Sequence, residues 1–214
     1  MDISIIDNYT AVGALLFAGL STLSVSIWKY LKANVQKDKL VSISDSFYKT
    51  VLGLSSDKMS EKIASAVLLR RFFDKNTEFG LGNTPFKKDS INVIAGLLRY
   101  ESTSDFQKLL GDGLAYASSL EHADLQKTNL QNVFLSHKTN IIDISGADFY
   151  GADLSKASLT NTKAIGSVFY EARLNGSVFK NANLTNANFG STDLTNVNFK
   201  GAILDGVSFE NLFE

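Results

Sequence analysis

The 214-residue chain has no cysteine, two histidines and one proline. Without cysteine there is no disulfide, thiolate nucleophile, zinc knuckle or iron–sulfur ligand, and two histidines leave little for a histidine-based metal site. No grouping resembles a nucleophile motif, and Gly80 and Gly82 form a GxG that follows no strand and has no P-loop lysine. The chain is therefore read as non-enzymatic, with no catalytic residues, no cofactor and no metal. One proline, against an ordinary share of about 5%, means that the corners are turned by other residues. Twelve asparagines between Leu114 and Glu214 are suited to that task.

Net charge is also nearly absent, at −1, but this is a cancellation. Residues 1–28 carry only Asp2 and Asp7. From Lys29 to Gly113 there are fourteen bases against ten acids, and from Leu114 to Glu214 seven against ten. Three differently charged pieces make up a neutral chain.

From Asn8 to Trp28 there are 21 residues without a charge. As a helix rising about 1.5 Å per residue they would span the roughly 30 Å hydrocarbon layer of a bilayer. The run is read as a transmembrane helix, with Tyr9 at one interface and Trp28 and Tyr30 at the other. Lys29, Lys32, Lys37 and Lys39 follow it against Asp38, so the positive-inside rule puts the N-terminus outside and the remaining residues in the cytoplasm. A single-pass protein of the bacterial inner membrane is the expected location, with membrane lipid as a partner. A cleaved signal peptide would need a basic start, and MDISIIDNYT offers two aspartates instead. The Ser and Thr of the run leave a buried helix of a soluble domain as the alternative. Thr10, Ala14, Ala18, Thr22 and Ser26 recur every four residues, a small-residue row of the kind along which transmembrane helices self-associate.

The expected organisation is an outside tail and transmembrane helix over 1–28, a basic juxtamembrane linker over 29–41, a helical domain over 42–113 and a repeat over 114–214. In the helical domain, Ser56 or Asp57 caps a helix to about Asp74 that carries Met59, Ile63, Val67 and Phe73 at helical spacing. Thr84 and Pro85 open a second, with Ile91, Ile94, Leu97 and Leu98 as its apolar stripe. Ser104 and Gly111 bracket a third around Phe106, Leu109 and Leu110. The pairs Arg70–Arg71 and Lys87–Lys88 read as solvated faces.

From Leu120 the chain moves in steps of five: Leu120, Leu125, Leu130 and Leu135, then, after a one-residue phase slip, Ile144, Phe149, Leu154, Leu159, Ala164, Phe169, Leu174, Phe179, Leu184, Phe189, Leu194, Phe199, Leu204 and Phe209. Two residues before each of these, from Ala147 to Val207, nothing larger than valine occurs. A period of five fits neither helix nor strand and requires a repeat architecture. The runs GADLS, NANLT, NANFG, STDLT and NVNFK resemble the pentapeptide-repeat family, whose consensus is approximately A(D/N)LXX. The resemblance covers about Ser118 to Glu214 and implies a right-handed quadrilateral β-helix of about five coils.

If each pentapeptide is one side of a square, residues twenty apart stack at the strand spacing of about 4.8 Å. The core then consists of like-on-like ladders: Phe149, Phe169, Phe189 and Phe209; Leu154, Leu174 and Leu194; Leu159, Phe179 and Phe199. The helices before Leu120 can cover one end of the stack. The other ends in Phe209, Leu212 and Phe213, where contact with a second copy is expected. His122 and His137 are not brought together by their spacing. Asp153, Arg173 and Asp193 stack as alternating charges, Lys180 lies under Lys200, and Tyr150 lies beside Tyr170.

The function expected from these readings is a membrane-anchored, self-associating platform that binds or assembles an unidentified protein on the cytoplasmic face. One alternative is an oligomeric membrane-permeabilising effector of an antiphage defence or toxin system, built on the Ser/Thr-bearing helix. A second follows from the resemblance, since some relatives imitate DNA towards topoisomerases. DNA mimicry needs a regular row of carboxylates. Here Arg173 interrupts the row through Asp153, and nucleic acid is not expected as a partner.

Overall fold

A computed structural model of the chain describes residues 22–74, 76–77, 86–117, 119–136 and 141–210, with the backbone alone described over 22–36. The chain divides into two units, residues 1–48 and 49–214. The first described element is helix α1, Thr22–Gly53. It runs unbroken through 29–41, where a linker was expected, because Lys, Leu, Ala and Gln there are good helix formers and no Gly or Pro interrupts them. The expected transmembrane segment falls mainly on residues outside the described ones, and only Thr22–Trp28 of it belong to α1. No helix among the described residues is long and apolar enough to cross a membrane.

In the second unit follow α2 (Met59–Leu69) with a 3-10 turn at Arg70–Phe72, α3 (Phe86–Leu98), and α4 (Asp105–Gly113) with a 3-10 turn at Leu114–Tyr116. Helix α4 is capped by Ser104, whose side chain accepts from the Gln107 N–H at 3.1 Å. Helix α2 starts later than Ser56 predicts. The Ser56 hydroxyl instead donates to the Glu61 carboxylate at 2.6 Å and accepts from the Lys58 N–H.

Helix α2 also turns its faces against expectation. Ser65, Ala66 and Leu69 are buried, whereas Met59, Ile63 and Val67 are exposed. The cause is a close approach to the end of α1, where a Cβ on Gly53 would lie 2.1 Å from the Ser65 hydroxyl. Only small side chains fit between the two helices. The apolar weight of the helical region comes from Leu69, Phe72, Phe73, Ile94, Leu98, Leu110 and Leu114, all almost fully buried.

From Ser119 the chain winds into four-sided coils held by parallel bridges. Outward residues Ser119, Asp143, Lys163, Asn183 and Ile203 pair in succession on the first side, and Asp124, Asp148, Val168, Asn188 and Ser208 on the second. Asn129, Asp153, Arg173 and Asp193 follow on the third, and Phe134, Ser158, Val178 and Asn198 on the fourth. The bridge partners lie 20 residues apart above Asp143 but 24 apart below it. The phase slip is thus physically an insertion of four residues between Leu135 and Ile144, which leaves every side in line.

Each five-residue unit reads as small, outward, centre, first turn and second turn, for instance Ala152, Asp153, Leu154, Ser155 and Lys156. The N–H of the next small residue donates back to the centre carbonyl, as Ala157 does to Leu154 at 2.9 Å. The second-turn residue has a positive φ at every described corner from His122 (55°) to Gly206 (68°), and the first-turn residue never does. That combination defines a type II turn. Six of these corners are glycine and five are asparagine, the residues that bear this conformation at least cost.

The Asp or Asn at the outward position has a local role. Its Oδ1 accepts the first-turn N–H, as in Asp148 to Tyr150 (2.9 Å), Asn188 to Gly190 (2.8 Å) and Asn198 to Lys200 (2.9 Å). An aliphatic side chain there would leave that N–H without this partner.

Candidate functional site

The interior of the stack leaves no room for a ligand. Phe149, Phe169 and Phe189 are fully buried, with ring centroids 5.0 and 4.8 Å apart in nearly parallel stacks. Phe179 meets Phe169 and Phe189 edge-on at 5.4 and 5.6 Å. Leu154 and Leu174 are likewise fully buried. Small inward hydroxyls bond to the backbone: Thr128, Thr162 and Thr192 donate to the preceding centre carbonyl, and Ser167 to the Ile144 carbonyl at 2.8 Å.

The buried Ser177 hydroxyl has no partner. Ser177→Ala is therefore expected to raise stability by up to about 1 kcal/mol, and Ser167→Ala, which removes a satisfied bond, to lower it by about 1 kcal/mol. Urea unfolding of the two variants checks the opposite signs.

The surface of the described repeat that a partner could meet is therefore the outside of its coils and the edges of its first and last described coils. On the third side Asp153 is buried and pairs with Arg173 at 2.7 Å, and Gln131 also donates to its carboxylate. Burial pushes the Asp153 carboxyl up, but hydrogen bonds from Ser155 and Gln131 and the charge of Arg173 outweigh it and hold the group below its ordinary value. Asp143 behaves alike: burial raises it, while the bonds from Lys163, at 2.7 Å, and Ser145 lower it further.

Both folded values lie below the ordinary 3.8, so the stability these groups contribute is complete above that pH and is lost as pH falls through the folded values. A D143N/D153N variant is expected to lose less stability between pH 5 and pH 2 than the parent, measured by denaturant midpoints at each pH.

Tyr150 and Tyr170 stack outside the second side with centroids 6.1 Å apart. Hydrogen bonding to Glu171 raises the Tyr150 phenol. Lys180 and Lys200 are both exposed on the fourth-side corner. His122 is exposed at a corner, and His137 lies outside the described residues. Among the described residues no cluster of His, Asp or Glu could hold a metal ion. A groove of about 660 Å³ between α3 and coil 1 is lined by Lys87, Lys88 and Ile91 on one wall and Glu121, His122 and Asp124 on the other.

The two ends of the stack differ sharply. Below coil 1, helices α3 and α4 and the segment between them occupy the strand edges. Arg99 donates to the carbonyls of Asp124 and Gln126, at 3.3 and 2.9 Å, and Gln107 to those of Asn129 and Gln131, at 2.8 and 3.4 Å. The Leu98 carbonyl accepts from the Asn129 N–H, and Asp112 accepts from the Phe134 N–H. These contacts could not be read from the sequence, because nothing local distinguishes Arg99 or Gln107 from ordinary surface residues.

In the last described coil the outward Ile203 is 47% exposed and the centres Leu204 and Phe209 are 38% and 37% exposed, while Leu184 and Phe189, beneath those two centres, are fully buried. The other expected site residues lie elsewhere. Leu194, in coil 4, is half-buried. Leu212, Phe213, Thr10, Ala14 and Ala18 are outside the described residues, and Thr22 and Ser26 lie on the first turns of α1.

Residues 140–209 match the family model of the pentapeptide repeat region. No curated protein matches the chain. Among solved structures, a pentapeptide repeat protein from the Arabidopsis thaliana thylakoid lumen is 28% identical at a TM-score of 0.36 over 39% of this chain and 56% of its own. One from the cyanobacterium Cyanothece 51142 is 26% identical at 0.24 over 45% and 64%, and one from Nostoc PCC 7120 is 29% identical at 0.29 over 45% and 78%. The chain thus spans little more than half of the first of these proteins. The family match over 140–209, with a five-residue unit that turns at every corner, identifies this part of the chain as a pentapeptide-repeat region.

Proposed function

We propose that the chain is a membrane-anchored, non-enzymatic pentapeptide-repeat platform that self-associates through the upper end of its β-helix and presents the sides of the stack to a protein partner. The observation that carries this reading is the last described coil, where the centre residues Leu204 and Phe209 are left exposed while Leu184 and Phe189 beneath them are fully buried. Exposed apolar surface of this kind marks an interaction site. The 21 uncharged residues from Asn8 to Trp28 and the lysines after them support anchorage in the inner membrane with the repeat in the cytoplasm. The row Thr10, Ala14, Ala18, Thr22 and Ser26 supports self-association within the bilayer.

The same row favours a second reading, a bundle that permeabilises the membrane in a defence or toxin system. Imitation of DNA has less support, because Arg173 neutralises the acidic column at Asp153.

Vesicles separate these readings. The full chain reconstituted into dye-loaded liposomes of phosphatidylethanolamine and phosphatidylglycerol should float with them and leave them sealed. Dye release would favour the permeabilising bundle, and failure to float would refute the anchor.

A further inference from the structure

Helix α2 turns its more apolar face away from the core. The side that packs against the rest of the helical region is Ser65, Ala66 and Leu69. Outward stand Met59, Ile63, Val67 and Leu68, which are 54, 42, 45 and 43% exposed, around the small exposed residues Ser60 and Ala64. A surface helix ordinarily has the opposite order, and one that is apolar on every side is covered on every side. A patch of this kind marks a place where something docks.

The order of the residues points to what covers it. At about 100° per residue, Ser60, Ala64 and Val67 run along the middle of the outward face, with Ile63 on one flank and Leu68 on the other. A second α2 can be laid antiparallel on the first, about a two-fold axis between Ile63 and Ala64. Ser60 then faces Val67 of the second copy, Ala64 faces its Ile63 and Met59 its Leu68, so that a small or pliable side chain meets a branched one at each step. The ends match as well. The exposed Asp57 and Glu61 stand at the start of the helix and the exposed Arg71 just past its end, so the acidic end of each copy meets the basic end of the other. A parallel pair would instead set Val67 on Val67 and Arg71 on Arg71. A bilayer surface fits the face less well, since it carries no aromatic residue, Lys58 is taken by Glu61 at 3.0 Å, and Lys62 is half-buried.

We infer that the outward face of α2 pairs with the same face of a second copy, antiparallel and about a two-fold axis at Ile63 and Ala64, joining two chains at their helical regions. This rests on the reading of the chain as self-associating and gives it a contact separate from the last described coil. Because both partners use the same patch, the contact closes at two. One face of an 11-residue helix is smaller than the roughly 800 Å² per partner of a free-standing interface, so the pairing acts between chains already brought together.

The absence of cysteine supplies the test, because a single introduced thiol reports its own neighbour. The full chain in detergent micelles is oxidised with copper–phenanthroline and followed on non-reducing gels. In the antiparallel pair Ala64→Cys lies about 1.5 Å along the helix from its counterpart, whereas Ser60→Cys and Val67→Cys lie about 10 Å from theirs. Ala64→Cys should therefore give the disulfide dimer at least tenfold faster than either of the other two alone, and an equal mixture of Ser60→Cys and Val67→Cys should recover the fast rate. Adding Ile63→Glu to Ala64→Cys should slow it at least tenfold with the helical circular-dichroism signal unchanged, and with Phe209→Glu in place the order of the three positions should be kept. The inference is overturned if Ser60→Cys links as fast as Ala64→Cys, the mark of parallel packing or chance collision. It is equally overturned if Ala64→Cys fails to link in a chain whose detergent mass shows association, as it would with lipid or another segment over the face. A mass of one copy at every concentration would refute the self-association reading itself.

Discussion

Phe169→Ala is expected to lower the unfolding free energy by about 3–5 kcal/mol, the range for deleting a buried aromatic side chain. Its ring is fully buried, 5.0 Å from Phe149, 4.8 Å from Phe189 and edge-on to Phe179 at 5.4 Å. Removing it opens a cavity at the centre of the ladder, and the four walls of hydrogen-bonded strands cannot collapse into it. In a one-dimensional array the damage is not local, because coils 2 and 4 are coupled through coil 3.

Phe209→Ala removes the same atoms from the same column at a position 37% exposed and covered on one side, and should cost at most about half as much. Equal costs at 169 and 209, measured by equilibrium unfolding, would show that the ladder does not carry the stack.

Ile203→Lys with Phe209→Glu is expected to leave the β-helix folded and to weaken association between its upper ends at least thirtyfold. Both side chains are already partly in water, so charging them costs the monomer little. In a contact between two rungs the same charges would be buried without partners, a loss of about 2–5 kcal/mol. The mass of the variant in detergent should fall below that of the parent. Phe213→Glu, four residues after Phe209 in the sequence, is expected to act in the same direction, whereas Lys180→Glu, on the side of the stack, should leave the mass unchanged.

Much of the β-helix could be read from residue spacing, because every centre must be large, every second residue before it small, and neither can drift without breaking a ladder. Phe149, Phe169 and Phe189 announce one column at an interval of twenty. The corners were legible where they are Gly or Asn. Lys127, Lys156, Glu171 and Ser191 take the same left-handed conformation without any signal of their own, since the register around them imposes it. The Asp and Asn before each centre were visible as a pattern, but their work of holding the first-turn N–H appears only when the turn is seen.

Tertiary contacts were less accessible. Met59, Ile63 and Val67 keep perfect helical spacing yet face outward, because the approach of Gly53 to Ser65 decides which face is buried. Arg99 and Gln107 reach carbonyls 20 to 30 residues away, as Arg99 does at Gln126, and no local pattern encodes such a bond.

The claim that the open rung is a self-association surface is tested most directly by amide hydrogen exchange of the full chain in lipid nanodiscs. In lower coils the centre N–H is locked, as Phe179 donates to Asn198 and Phe189 to Ser208, both at 2.8 Å. The amides of coils 2 and 3 should therefore exchange slowly in every preparation. Those of Leu204 and Phe209, which find no acceptor above them among the described residues, should be slowed in the parent, where a second copy shields them, and fast in the I203K/F209E variant. Rapid exchange at Leu204 and Phe209 in the parent, at a concentration where it is associated, would contradict the account.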